Sequence, residues 1–132
     1  MKSRLQNIIY PELSYGLTGI FFKVHNALGY YCKESQYCDA IEILLKEESI
    51  HYKREFSLKS ESNLLKDNSD RVDFLIEDRI VIEVKAKRLM GRDEYNQTQR
   101  YLQRLNLKLG ILVNFHQRYL VPKRIVNSKF KN

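Results

Sequence analysis

The sequence predicts a mixed α/β domain in which helices flank one central sheet, and three observations predict it. The spacing of apolar residues changes from the period of a helix to that of a strand and back, in the order α-α-β-β-β-α-β with a further edge strand. A nearly all-apolar run, Leu109 to Phe115, is what a central strand covered on both faces requires. The chain has 132 residues, 43% hydrophobic and 30% charged, enough for one core and too few for two, so 1–132 reads as a single domain.

Each element has its own signal. From Pro11 to Leu28, the residues Leu13, Leu17, Ile20, Phe21, Val24 and Leu28 recur at three- and four-residue steps along one helix face. Pro11 suits the first turn, where its missing N–H is no loss, and Gly29 suits the position after the last turn. A second helix fits Lys33 to Glu48, burying Tyr37, Ile41, Leu44 and Leu45. Between Ser49 and Ser60 the period becomes two, with Ile50, Tyr52, Arg54, Phe56 and Leu58 on one side of a strand. Glu61 to Asp70 clusters Asn, Ser and Asp and reads as a loop. Arg71–Ile76 and Ile80–Lys87 are β-branched strands joined by the short turn Glu77-Asp78-Arg79. A third helix over Asp93–Asn106 turns Thr98, Tyr101, Leu102 and Leu105 inward, Leu109–Phe115 follows as the central strand, and Leu120–Val126 closes the sheet at an edge that tolerates Pro122.

Composition excludes several classes. No apolar run approaches the ~20 residues of a membrane span, and the three-residue apolar stretch near the N-terminus is too short for a secretory leader. Cys32 and Cys38, with no second pair, imply neither a disulfide framework nor a zinc knuckle and fit a cytoplasmic protein with reduced thiols. His25, His51 and His116 share no metal-ligand spacing, and no phosphate loop, nucleophile elbow or dinucleotide fingerprint is present.

Charge points to a partner. Lys and Arg number 23 against 16 Asp and Glu, a net +7. A polyanion suits such a chain, because neutralised phosphates release condensed counterions. Lys85, Lys87, Arg88, Arg92, Arg100 and Arg104 crowd one segment opposed only by Asp93 and Glu94, and Lys123, Arg124, Lys129 and Lys131 crowd the C-terminus.

Within that basic stretch, Glu83 and Lys85 are two apart on a strand and so share a face. If the turn is three residues long, Ile76 faces Ile80 and Asp73 faces Glu83, at roughly 5 Å. Two acids that close stay ionised together only beside a cation, and oxygen ligands suit Mg²⁺ or Mn²⁺. Lys85 beside them suits an attacking water or the charge developing on phosphorus oxygens. The same residues also fit a solvated group of surface charges, and residue types alone do not choose between the two.

Asp73 followed by Glu83-Val84-Lys85 resembles the D-x(n)-E-x-K signature of the PD-(D/E)XK nuclease superfamily, with Val72 where the literal motif has Pro. More narrowly, the chain resembles the small GxxxxxR family of bacteria and archaea. The similar stretches are Tyr10 to Ser14, Val24 to Gly29, Glu34-Ser35 with Tyr37, Asp73 to Lys85, and Leu109 to Phe115, nearly the whole length. The resemblance implies a restriction-endonuclease-like αβββαβ core. It also implies Glu34 as a helix glutamate that assists the metal, directly or through water, and Gln97 with Tyr101 as a Q-x-x-x-Y element on one helix face, touching substrate or bracing the metal ligands.

The resulting expectation is a nuclease, Mg²⁺- or Mn²⁺-dependent, that hydrolyses phosphodiester bonds of DNA. Asp73, Glu83, Lys85 and Glu34 are its catalytic residues, and Asp73, Glu83 and Glu34 its metal ligands. Gln97, Tyr101, Lys87, Arg88, Arg92 and Arg100 meet the substrate. The competing expectations are an inactive nucleic-acid-binding module of the same fold, supported by the basic surface, and a junction-resolving endonuclease working as a homodimer.

Overall fold

A computed structural model describes residues 8–58 and 70–132. The charged N-terminal start and nearly all of the loop expected over Glu61–Asp70 lie outside these residues. The elements are α1 (Pro11–Leu28), α2 (Glu34–Glu47), β1 (Tyr52–Ser57), β2 (Arg71–Ile76), β3 (Ile80–Lys85), α3 (Arg92–Leu105), β4 (Leu109–Asn114) and β5 (Lys123–Val126). They form one five-stranded sheet in the order β1-β2-β3-β4-β5. All neighbours are antiparallel except β3 and β4, which run parallel because α3 carries the chain back across the sheet.

Helices cover both faces. On one, Leu17, Ile20 and Phe21 of α1 and Tyr37, Ile41 and Leu45 of α2 pack on Phe74, Ile80, Ile82, Ile111 and Val113. On the other, Tyr101 and Leu102 of α3 pack on Leu75, Val81, Leu112 and Ile125. Every residue of β4 is buried, as a strand covered twice must be. Gly110 lets α3 lie close, since a Cβ there would stand 2.9 Å from Thr98 Cγ2.

Two expectations are corrected. The simple alternation of the first strand fails: Tyr52 packs against the α1–α2 core, whereas Phe56 and Leu58 join the α3 side. The cause is Glu55, whose φ of 53° puts a left-handed residue inside β1 and turns the strand over. Its neighbour across the sheet changes face too, with Phe74 in the α1–α2 core and Val72 in the α3 core. The last strand is also shorter than expected. Pro122, which has no N–H to donate, stands just outside β5.

Candidate active site

The turn between β2 and β3 decides the register. Glu77 and Asp78 both have φ of 53° and Arg79 N–H donates to the Ile76 carbonyl at 2.8 Å, closing a three-residue loop. Pairing then runs Ile76–Ile80, Leu75–Val81 and Phe74–Ile82, the register that the sequence requires for Asp73 to meet Glu83. At that next position the ladder stops and side chains replace it. Val84 N–H donates to Asp73 Oδ2 at 2.7 Å, and Asp73 N–H donates to Glu83 Oε1 at 3.2 Å. Each acid therefore reaches into the gap between the strands and caps the backbone of the other. Asp73 is unpaired on its other side as well, since neither it nor Glu55 opposite takes part in the β1–β2 ladder.

Burial makes this arrangement electrostatically tense. Glu83 is 2% exposed, so it is no solvent-facing charge. Loss of water pushes the Asp73 carboxyl up to about 6, with the Glu34 charge adding and the Val84 N–H and Lys85 opposing. Loss of water pushes Glu83 further, to about 8, with the Asp73 charge as the next cause and Lys85 again opposing. Lys85 Nζ lies 3.8 Å from Glu83 Oε2 and donates to Gln97 Oε1 at 3.0 Å. Asp73 Oδ1 and Glu83 Oε2 accept no hydrogen bond from the described residues.

The other expected site residues fall into distinct places. Glu34, in the first turn of α2, is near enough for its charge to raise both acids, yet no group of three His, Cys, Asp or Glu side chains converges among the described residues. Gln97 faces the acids by holding Lys85, and with Lys85, Lys87, Asp93 and Glu94 it lines a small cleft of about 150 Å³. Tyr101, one turn further along α3, is 2% exposed, and its hydroxyl is pushed up to about 12, first by burial and then by the Glu83 charge. Lys87 is not a free cation. Its Nζ donates to Glu94 Oε1 at 2.5 Å, and that contact together with the Gly91 N–H holds Glu94 down to about 2. Arg88, Arg92 and Arg100 are exposed and make no ion pair with the described residues.

Sequence reasoning passed over Asn114. It is 3% exposed at the end of β4, accepts from Lys87 N–H at 3.0 Å and donates to the Lys87 carbonyl at 2.8 Å, so it fastens the segment that leaves β3. Its signal was available, because it is the one polar side chain in an otherwise apolar run.

The order of elements, the mixed sheet and paired acids with a lysine on neighbouring strands point the same way as one comparison. A family model described as the PD-(D/E)XK nuclease superfamily matches residues 11–125. The chain belongs to this superfamily. No curated protein and no solved structure matches it. Membership gives the domain a nuclease-type function with nucleic acid as the substrate class, and the fold is the restriction-endonuclease-like one. PD-(D/E)XK nucleases generally use divalent metals such as Mg²⁺, and the donor set here fits one. Two carboxylates, each with one oxygen left over from backbone bonding, suit a hard cation whose remaining ligands are water and substrate phosphate. No described helix is long and apolar enough to cross a membrane.

Proposed function

We propose that the protein is a Mg²⁺- or Mn²⁺-dependent nuclease that cleaves phosphodiester bonds of DNA, within the GxxxxxR branch that its sequence resembles. The observation that supports this most is the buried pair of acids in the strand gap, each bonded to a backbone N–H across that gap, with the Lys85 ammonium 3.8 Å from Glu83. Asp73 and Glu83 hold the ion, and Glu34 supports it through water. The ion, when bound, supplies Lewis-acid polarisation of the phosphate and lowers the pKa of a bound water.

The chain's own residues do the rest. Asp73 and Glu83 are fixed by the Val84 and Asp73 N–H groups, so they need little reorganisation on binding. Gln97 aims Lys85, whose ammonium stabilises the charge that builds on the phosphoryl oxygens as water attacks and the bond to the leaving sugar oxygen breaks. Tyr101, buried in the α3-side core near enough to feel the Glu83 charge, closes that side of the site to water. Arg88, Arg92 and Arg100 offer phosphate contacts from the exposed surface.

Cleavage of single-stranded, duplex, flapped and branched DNA with Mg²⁺ or Mn²⁺ tests the reading. Asp73→Ala and Lys85→Ala are each expected to lower the rate by about 10²–10³-fold or more with circular dichroism unchanged. Wild-type protein that cuts none of these substrates with either metal overturns it.

A further inference from the structure

Two segments, one leaving β3 just after the acids and one leading into Glu34, are tied to the far end of β4. The one leaving β3 is held by Asn114, as described. The one entering α2, residues 29–33, is held by His116, whose Nε2 lies 2.6 Å from the Cys32 carbonyl, and by Tyr37, whose hydroxyl donates to the Gly29 carbonyl at 2.7 Å and accepts from Cys32 N–H at 3.2 Å. This second segment therefore has a fixed shape although it is a loop. At its crest stand two tyrosines. Tyr30 is half-buried, with its ring 6.5 Å from the buried His25 ring and nearly parallel to it, and His25 is itself held by the Gln117 carbonyl at 2.7 Å. Tyr31 lies 4.4 Å from Tyr30, ring centre to ring centre, and is 83% exposed.

An isolated exposed tyrosine needs no explanation. This one differs on two counts. It is backed by a second ring, tilted 38° to it, and by a fastened loop, so its outer face is presented at little cost in conformational freedom. It also stands three residues before Glu34, hence within about 11 Å of it along the backbone, and the Glu34 charge reaches both acids. Nucleobases stack on such surfaces whatever their identity, but only when they are unpaired and their faces are open.

We propose that Tyr30 and Tyr31 form a stacking platform for an unpaired nucleobase, which directs the site to single-stranded DNA or unpaired ends in preference to continuous duplex. The proposal rests on the nuclease reading for its substrate and names which substrate that is. Phosphate contacts by Arg88 and Arg92 would serve either form of DNA equally, so discrimination is assigned to the rings.

The test measures binding by fluorescence anisotropy in EDTA, using a labelled ten-nucleotide thymidine oligomer and a duplex of equal length, for wild type, Tyr31→Ala and Tyr31→Phe. Wild type is expected to favour the single strand. Tyr31→Ala is expected to weaken the single strand about tenfold and the duplex less than twofold, while Tyr31→Phe restores single-strand binding. The salt dependence should not change, since no phosphate-binding charge is lost. Unaltered single-strand binding in Tyr31→Ala, or an equal loss for both forms, overturns the platform. Cleavage of the same oligomers with Mg²⁺ separates the two readings. No cleavage with Tyr31-dependent binding intact defeats the nuclease and leaves the platform standing; cleavage by wild type with Tyr31→Ala indistinguishable from it defeats the platform alone.

Discussion

The two ends of the β2–β3 hairpin share one register and follow opposite rules. Near the turn, Ile76, Leu75 and Phe74 pair with Ile80, Val81 and Ile82 through backbone bonds, and all six side chains are buried apolar groups. One step further, the strands part, and Asp73 and Glu83 fill the gap with carboxylates that are costly to hold in their ionised form. The first end stabilises the domain by removing apolar surface from water. The second gives up part of that stability to keep two carboxyls together where burial makes ionisation costly, a cost that a bound divalent cation would relieve. The contrast shows how a hairpin carries a reactive site without losing its fold: the closed end supplies the rigidity that the open end spends.

Mutations at the closed end test this contrast most severely. Ile82→Ala should destabilise the domain by about 2–5 kcal/mol in urea denaturation, whether or not divalent metal is present. Glu83→Gln should do the reverse at pH 8, raising stability by on the order of 1–3 kcal/mol while cleavage disappears, because a buried charge is replaced by a neutral group of the same shape. A loss of stability in Glu83→Gln as large as that in Ile82→Ala would erase the distinction between the ends.

The pH dependence sharpens it. Both acids have folded-state pKa values raised above their ordinary ones, so the folded chain binds protons more tightly than the unfolded chain. Their contribution is complete below about pH 4 and is lost as pH rises through about 6 for Asp73 and about 8 for Glu83. Stability measured from pH 5 to pH 9 should therefore fall from this source in wild type and stay flatter in Glu83→Gln. Mg²⁺ at pH 8 should restore stability by about 2.7 kcal/mol at a hundredfold excess over its Kd, and Asp73→Asn should abolish the effect.

Smaller effects belong to the residues around the open end. Gln97→Leu removes the acceptor that aims Lys85 and should lower kcat by about tenfold with KM and thermal stability nearly unchanged. Smaller still is the difference between two neighbouring cations. Arg88→Ala should reduce the salt slope of DNA binding by about 1, whereas Lys87→Ala should change it less, since Lys87 already pairs with Glu94.

Much of the domain was legible from local pattern. The stripe from Leu13 to Leu28 and its flanking Pro11 and Gly29 define α1 as observed, because helix period and end residues are local properties. The turn Glu77-Asp78-Arg79 gave the register, and with it the meeting of Asp73 and Glu83. The reversal of face at Phe56 was hidden, since Glu55 is a residue type that ordinarily has no reason to adopt a left-handed backbone. Tyr101 faces inward by its helix period and is buried against the sheet as that period requires. Lys87 looked like a phosphate contact until Glu94, seven residues away, was seen to reach it across the start of α3.

The sequence by itself determined the order of helices and strands, the buried faces of the helices, the excess of positive charge and the identity of the acids and lysine that could work together. Those features follow from the periodicity and chemistry of neighbouring residues. Only the tertiary structure decided that the acids lie in a gap between parted strands, that Gln97 reaches Lys85, and that Asn114 and His116 fasten two segments to β4. These contacts join residues far apart in the chain, and their energies depend on burial, which no short stretch of sequence contains.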